Sequence, residues 1–374
     1  MNFNRNRVWL FGFAAILLSH SDLLAQKVDV WIGTGGKNGI QHTTLDIQTG
    51  ELTPVRTAIA IPGTSFLVMH PNKPIIYSTA GYQGERGVAA LAIKNQKLTL
   101  TNFLPSGDGG AAGVSVDRSG KVVFTAQNNG GSVTSYRLKS DGSLDSVASQ
   151  IEHGEGSKVI PKRQDQSHPH WVGSSPDNRY LMVTDLGLDQ VVIYEVDVES
   201  GKLTRKSAVQ TPPGSGPRHM KFHPNGNFIF VLNEFTMDIS VFGYSPESGD
   251  LKEIQLIPTL PKSLRDKNPN SAAEIRVHPS GKFVYASNRG HDSVAVFEFD
   301  ESSGQLNFVE REAVRGANPR NFCLDPTGRW LLVGGRNSNT LTVFEINPKD
   351  GSLTYHRKCI NVPTPMCVLI GSIK

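Results

Sequence analysis

Arginine, histidine and glutamate cluster at the two ends of one short stretch, GSGPRHMKFHPNGNFIFVLNE (214–234). Arg218 and His219 open it and Glu234 closes it. Related groups stand nearby in the chain, at His168 and His170 in HPHW and at Arg289 and His291 in SNRGHD. A guanidinium grips carboxylate or phosphate through two parallel hydrogen bonds, so Arg218 and Arg289 suit an anionic substrate. Glu234 can accept or donate a proton, and His170 can share that work or polarise a carbonyl. These parts suit the opening of a cyclic ester by activated water. Glu234 or His170 would activate the water, and Arg would stabilise the charge growing on the carbonyl oxygen. Closing a lactone ring on an unsaturated acid would use the same parts in reverse.

Other chemistries lack their residues. There is no Gly-x-Ser-x-Gly elbow for a serine nucleophile. No His-Glu-x-x-His or acidic cluster suggests a metal, and no Cys-x-x-Cys-His attaches a redox group, so no cofactor is expected. Cys323, Cys359 and Cys367 form no Cys-x-x-Cys pair. They read as three buried small apolar residues, with a Cys359–Cys367 bridge as the alternative in an oxidising compartment.

The elements that must position these groups come from a repeat. MHPNKPIIYSTAG (69–81), VDRSGKVVFTAQN (116–128), SSPDNRYLMVTDL (174–186), FHPNGNFIFVLNE (222–234), VHPSGKFVYASNR (277–289) and LDPTGRWLLVGGR (324–336) share one pattern. A polar turn precedes a β-branched or aromatic run that ends in small or polar residues. The anchors His70, Asp117, Ser175, His223, His278 and Asp325 are spaced 47, 58, 48, 55 and 47 apart. Within each unit a second signature, such as DSVAVFEFDESSGQLN, reads as strand, acidic Gly turn, strand. Four short strands per unit at this period predict a β-propeller. TPMCVLIG (364–371) resembles a first strand without its followers, and VDVWIGTGG with GIQHTTLDIQTGELT resembles the followers without a first strand. Joining them predicts an all-β, seven-bladed propeller of four antiparallel strands per blade, closed by its two ends in one blade. HGEGSKVIPKRQDQS (153–167) should form a loop on one face.

The two strands flanking each polar turn are antiparallel, so the start of one and the end of the other share an edge. In a propeller that edge rims the central channel. The slot five before each anchor holds Ser65, Ala112, His170, Arg218, Ala273 and Arg320. The slot eleven after holds Gly81, Asn128, Leu186, Glu234, Arg289 and Arg336. Small residues occupy some of these slots, so the fold does not require charge there. Successive blades gather His170, Arg218, Glu234 and Arg289 in one sector, with His168, His219 and His291 beside them in sequence. Arg320 falls outside that sector and reads as an ordinary strand-end arginine.

HPHWVGSSPDNRYLMVTDLGLDQVVIYEVD (168–197), GSGPRHMKFHPNGNFIFVLNE (214–234) and SAAEIRVHPSGKFVYASNRGHDSVAVFEFD (271–300) closely resemble the lactonase family of seven-bladed propellers. That family includes propeller-type 6-phosphogluconolactonases and carboxy-cis,cis-muconate lactonising enzymes. The resemblance spans most of residues 30–370. It implies lactone hydrolysis with no obligatory metal and a small anionic lactone as substrate. The family's functional His matches the second His of HPH, His170. Its Arg matches Arg218 in GPRH, its Glu matches Glu234 in LNE, and its second Arg matches Arg289 in SNRG.

The remaining expectations come from composition. The net charge of +4 is spread along 374 residues with no Lys/Arg run, which argues against a nucleic-acid partner. MNFNRNR followed by VWLFGFAAILL reads as a secretory signal peptide over residues 1–25, too short to span a bilayer comfortably. The propeller would then occupy residues 26–374 of a periplasmic or secreted monomer, with no membrane association after cleavage. An exported enzyme would not meet a cytoplasmic sugar phosphate, which directs attention to other acidic or sugar lactones. The competing reading is a non-catalytic propeller that binds a protein or glycan through an exposed aromatic patch. Only four Trp, at 9, 31, 171 and 330, weigh against it.

Overall fold

A computed structural model describes residues 27–267 and 269–371 of the chain. The expected leader, residues 1–25, lies outside the described residues. Among those described, no helix is long and apolar enough to cross a membrane. They form seven four-stranded antiparallel sheets, the expected propeller. We number these blades 1 to 7 in chain order, blade 1 starting at Lys27.

Each repeat turn works the same way. In HPNG, the Gly226 N–H bonds to the His223 carbonyl, and the His223 N–H bonds to the Phe228 carbonyl at 2.8 Å. The turn thus hands the chain from the first strand of blade 5, Pro217–Phe222, to the second, Phe228–Asn233. Gly281 shows why glycine ends this turn. Its φ is +78°, and a Cβ there would strike the imidazole of His223 in the preceding blade. That imidazole bonds to the Gly281 carbonyl at 3.0 Å, so the turn also joins blade to blade.

Burial follows radial position. Second strands such as Tyr180–Asp185 are buried throughout, because both faces pack against neighbouring blades. The outermost strand Lys202–Gln210 alternates, with one face toward solvent. The apolar core is therefore divided into layers between blades. Phe230, Leu232 and Ile239 of blade 5 meet Ile275, Val284 and Phe297 of blade 6 in one of them.

The first strands of successive blades neighbour one another in a closed cycle around the channel. Blade 1 takes its innermost strand, Cys367–Ile370, from the end of the chain. It pairs with Lys27–Gly33 in the register Gly33↔Cys367 to Val30↔Ile370. Trp330 Nε1 of blade 7 donates to Ile47 O at 2.7 Å, fastening the same seam.

The cysteine expectation needs correcting. All three are free, and Cys359 is exposed. Cys359 lies on the outermost strand of blade 7 and Cys367 on the innermost strand of blade 1, so the fold separates them radially.

Candidate active site

Three first strands carry the same irregularity where they enter the channel. Pro169 pairs with Asp185 and Trp171 with Thr184, which leaves His170 as an extra residue. Arg218 is the extra residue between Pro217 and His219, and Arg320 between Pro319 and Asn321. A β-bulge of this kind re-aims one side chain, and the preceding proline tolerates the missing ladder bond. His170, Arg218 and Arg320 all line one small void of about 30 Å³ with Ser65 and Phe66. His170 and Arg320 also line two larger cavities of about 420 and 540 Å³ at the mouth.

Glu234 follows directly on the second strand of blade 5 and is 6% exposed. Three guanidiniums surround it. Arg163 Nη2 lies 2.8 Å from Oε1; Arg218 Nε and Arg289 Nη2 lie 2.8 and 3.2 Å from Oε2. Burial alone would raise the pKa of Glu234, but Arg289, Arg218 and Arg163 outweigh it and hold the value at about 2. Glu234 is thus anionic and only weakly basic. Arg218 is almost fully buried and also donates to the Ala273 carbonyl, and Arg289 Nη2 donates to Ala272 O at 2.8 Å.

His170 is the contrasting group. It is 6% exposed, and its Nδ1 has no hydrogen-bond partner among the described residues. Burial, then Arg218, His219, Arg320 and Arg289, push its pKa well below the usual histidine value. It is a neutral imidazole at neutral pH whose buried Nδ1 no protein group engages.

The accessory histidines separate. His168 lines the 420 Å³ cavity and donates from Nδ1 to Asn128 O at 2.6 Å, which turns Nε2 the other way. His219 is buried beneath the mouth, its ring centroid 5.1 Å from that of His170, and its Nδ1 lies 3.2 Å from Glu274 Oε1. Burial outweighs the pull of Glu274 and brings His219 down to about 3. His291 is not brought into the cavities; its Nδ1 bonds to Ser293 Oγ at 2.8 Å.

Three residues of the site were not singled out from the sequence. Arg320 occupies a slot taken for an ordinary strand end, yet it reaches His170 and Arg289 because the channel brings blade 7 opposite blade 4. The proline that precedes His170, Arg218 and Arg320 alike was the available signal. Lys162 and Arg163 come from the 153–167 loop, which bends over the mouth. Gln164 anchors that loop through Nε2 to Asp189 Oδ1 at 2.6 Å and to Leu186 O at 2.9 Å. The same Asp189 accepts from the Gly214 and Gly216 N–H groups at 2.7 and 2.8 Å. One buried carboxylate therefore fixes both the loop and the approach to Arg218.

The 30 and 420 Å³ cavities that share His170 and Arg320 together present five cationic side chains, Lys162, Arg163, Arg218, Arg289 and Arg320, against the single carboxylate of Glu234. The mouth can attract an anion, and its volume falls in the usual range for small-molecule sites, roughly 300–1,000 Å³. Among the described residues, no group of His, Cys, Asp or Glu is arranged to hold a metal ion.

The family model for the seven-bladed β-propeller lactonases matches residues 29–370. The chain is 35% identical over 344 residues to 6-phosphogluconolactonase of Bacillus subtilis, covering 90% of this chain and 97% of that protein. A putative 6-phosphogluconolactonase from Bacteroides fragilis superposes with a TM-score of 0.85 at 30% identity, covering 95% of this chain and 99% of the other. The periplasmic gluconolactonase of Pseudomonas aeruginosa superposes with a TM-score of 0.86 at 28% identity, covering 93% and 100%.

Proposed function

The chain belongs to the family of seven-bladed β-propeller lactonases, and on that premise we propose that it hydrolyses an anionic sugar lactone, with His170 activating the water. The observation that carries this reading is the excess of cationic side chains over Glu234 at the mouth. Guanidinium groups arranged in a cavity favour a carboxylate or phosphate on the substrate. The chemistry of 6-phosphogluconolactonase, named in several relatives, fits that field.

Two candidate bases were open from sequence, and their surroundings favour one. Glu234 is held by three arginines and serves to position them. His170 is neutral and lines all three cavities; its Nδ1 is buried, which leaves Nε2 as the nitrogen that can take a proton from water. The neighbouring arginines oppose an imidazolium in the empty site. A bound substrate anion offsets their charge and makes His170 a stronger base when it is needed. Lys162, Arg163 and Arg289 supply the field that draws the anion in.

The leader read over residues 1–25 and the likeness to a periplasmic gluconolactonase both support export. Outside the cytoplasm, an unphosphorylated lactone that keeps a free carboxylate, as the monolactone of a sugar diacid does, is the substrate class to expect.

The test is ring opening of 6-phosphogluconolactone and gluconolactone by residues 26–374, with spontaneous hydrolysis subtracted. Turnover abolished by His170→Asn supports the reading. Turnover that survives this change rules out His170 as the base. No rate above background with these substrates or a panel of sugar-acid lactones sinks the hydrolase reading itself.

A further inference from the structure

Arg320 is a site cation that its surroundings leave without an acceptor. Arg163, Arg218 and Arg289 each lie within 3.2 Å of a Glu234 oxygen. Arg320 has no carboxylate oxygen within 4.0 Å and no side-chain hydrogen bond among the described residues. Burial, then the charge of Arg289, pulls its pKa down to about 10 against a smaller upward pull from Glu234, so it stays charged. A guanidinium has five N–H donors, and leaving them unused in a channel wall adds nothing to the fold.

Its position is specific as well. Arg320 and His170 are both bulged residues, and together they line all three adjoining cavities. A carbon attacked by water at His170 therefore carries its oxygen into the space that Arg320 faces. Donors already in place, with no competing acceptor to displace, are what stabilises a developing oxyanion most.

We propose that Arg320 is a catalytic residue whose guanidinium receives the lactone carbonyl oxygen and holds the negative charge of the tetrahedral intermediate. The proposal rests on the lactonase reading above. Water adds to the carbonyl carbon and its proton passes to His170. The C=O π pair moves onto the oxygen facing Arg320. On collapse the ring C–O bond breaks, and the leaving alkoxide takes the proton from His170. Water is the sole co-reactant and the hydroxy acid is the product.

The experiment compares the wild-type chain with Arg320→Gln and Arg320→Lys on phosphorylated and unphosphorylated gluconolactone. The expected result is a fall in kcat of about 10²–10³-fold for Arg320→Gln on both lactones, with KM changed far less and thermal stability kept. Exogenous guanidinium should restore part of the rate in Arg320→Gln. A loss confined to KM for the phosphorylated lactone would make Arg320 a receptor for the remote anion and overturn the proposal. An unchanged kcat would overturn it too. A second arm does not depend on turnover. Gluconate, whose carboxylate retains the carbonyl oxygen, should bind the wild type at least tenfold more tightly than Arg320→Gln by calorimetry; equal affinity, or no binding to either, contradicts the proposal. An inactive wild type would instead count against the hydrolase reading; gluconate binding lost in Arg320→Gln would then make Arg320 a carboxylate receptor without catalysis, which overturns the proposal.

Discussion

Arg163 Nη2 meets Glu234 Oε1 at 2.8 Å across 71 positions of sequence, and its guanidinium lies 4.5 Å from the centroid of the Phe235 ring. A loop that leaves blade 3 thereby closes over a carboxylate held by blade 5. The two partners are unequal, since Arg163 is half-exposed and Glu234 is buried.

That asymmetry predicts a mild phenotype for Arg163→Gln. Glu234 keeps Arg218 and Arg289, and an ion pair with one exposed partner is worth about 0–1 kcal/mol. Stability in urea should change by no more than that. KM for an anionic lactone should rise several-fold, and the decline of kcat/KM with added salt should become shallower, because one charge of the steering field is gone. Steady-state kinetics at several ionic strengths measure both.

Glu234→Gln should be severe. It leaves Arg218 buried without a counter-charge, and breaking a buried pair from one side costs about 3–5 kcal/mol. Equilibrium unfolding should show a loss of that order, together with loss of turnover as the arginines reorient. A variant as stable as the wild type would mean that the three arginines do not depend on this carboxylate.

The rate should respond to acid in a particular place. His170 acts as a base only when neutral, and its free-enzyme pKa lies well below 6.5. The profile of kcat/KM should therefore stay flat from pH 8 through pH 6.5 and fall only at lower pH. In kcat the acidic limb should move upward, because the bound anion offsets the arginines. Initial rates across buffers, corrected for spontaneous hydrolysis, settle this. A limb already descending above pH 6.5 would assign the base to another group.

Stability should also decline on acidification, in two windows. In the first, the unfolded chain protonates His219 and His170 below about pH 6.5, while the folded chain protonates His219 only near pH 3 and His170 well below its usual value. Acid in that window favours unfolding, by at most about 1.4 kcal/mol per pH unit for one proton. In the second, Glu234 protonates near 4.5 when unfolded and near 2 when folded. Its contribution is complete above pH 4.5 and disappears as pH falls toward 2. Tm measured from pH 8 to pH 3 should fall below 6.5, and His219→Asn should flatten the upper part of the slope.

Blade number and phase were legible because each turn must reset the chain between strands, and the residues that do so, as in HPNG, HPSG and DPTG, recur. Arg218, Glu234, His170 and Arg289 were legible because the same slots hold Ala, Ser, Gly or Asn in other blades, so a charge there stands out. Arg163 was not, since the 153–167 loop has no counterpart in the repeat and its course depends on Gln164 and Asp189, residues far apart in sequence. Arg320 was visible as a slot but not as a neighbour of His170. Whether a long side chain spans the channel depends on its width, which the order of residues does not state. The exposure of Cys359 was hidden for a related reason. Outer strands alternate between solvent and the blade interior, and a single cysteine does not reveal its phase.

The seam of blade 1 has a consequence in time. Lys27–Gly33 waits for Cys367–Ile370, and the Gly371 N–H bonds to Asp29 O at 2.8 Å. The strand that locks the circle is therefore made long after the strand it joins. Until it arrives, a growing chain is an arc with an open slot, however many blades it has made. Completion thus waits for the one pairing that joins strands from opposite ends of the propeller, and a chain that lacks either strand stays an arc rather than a ring.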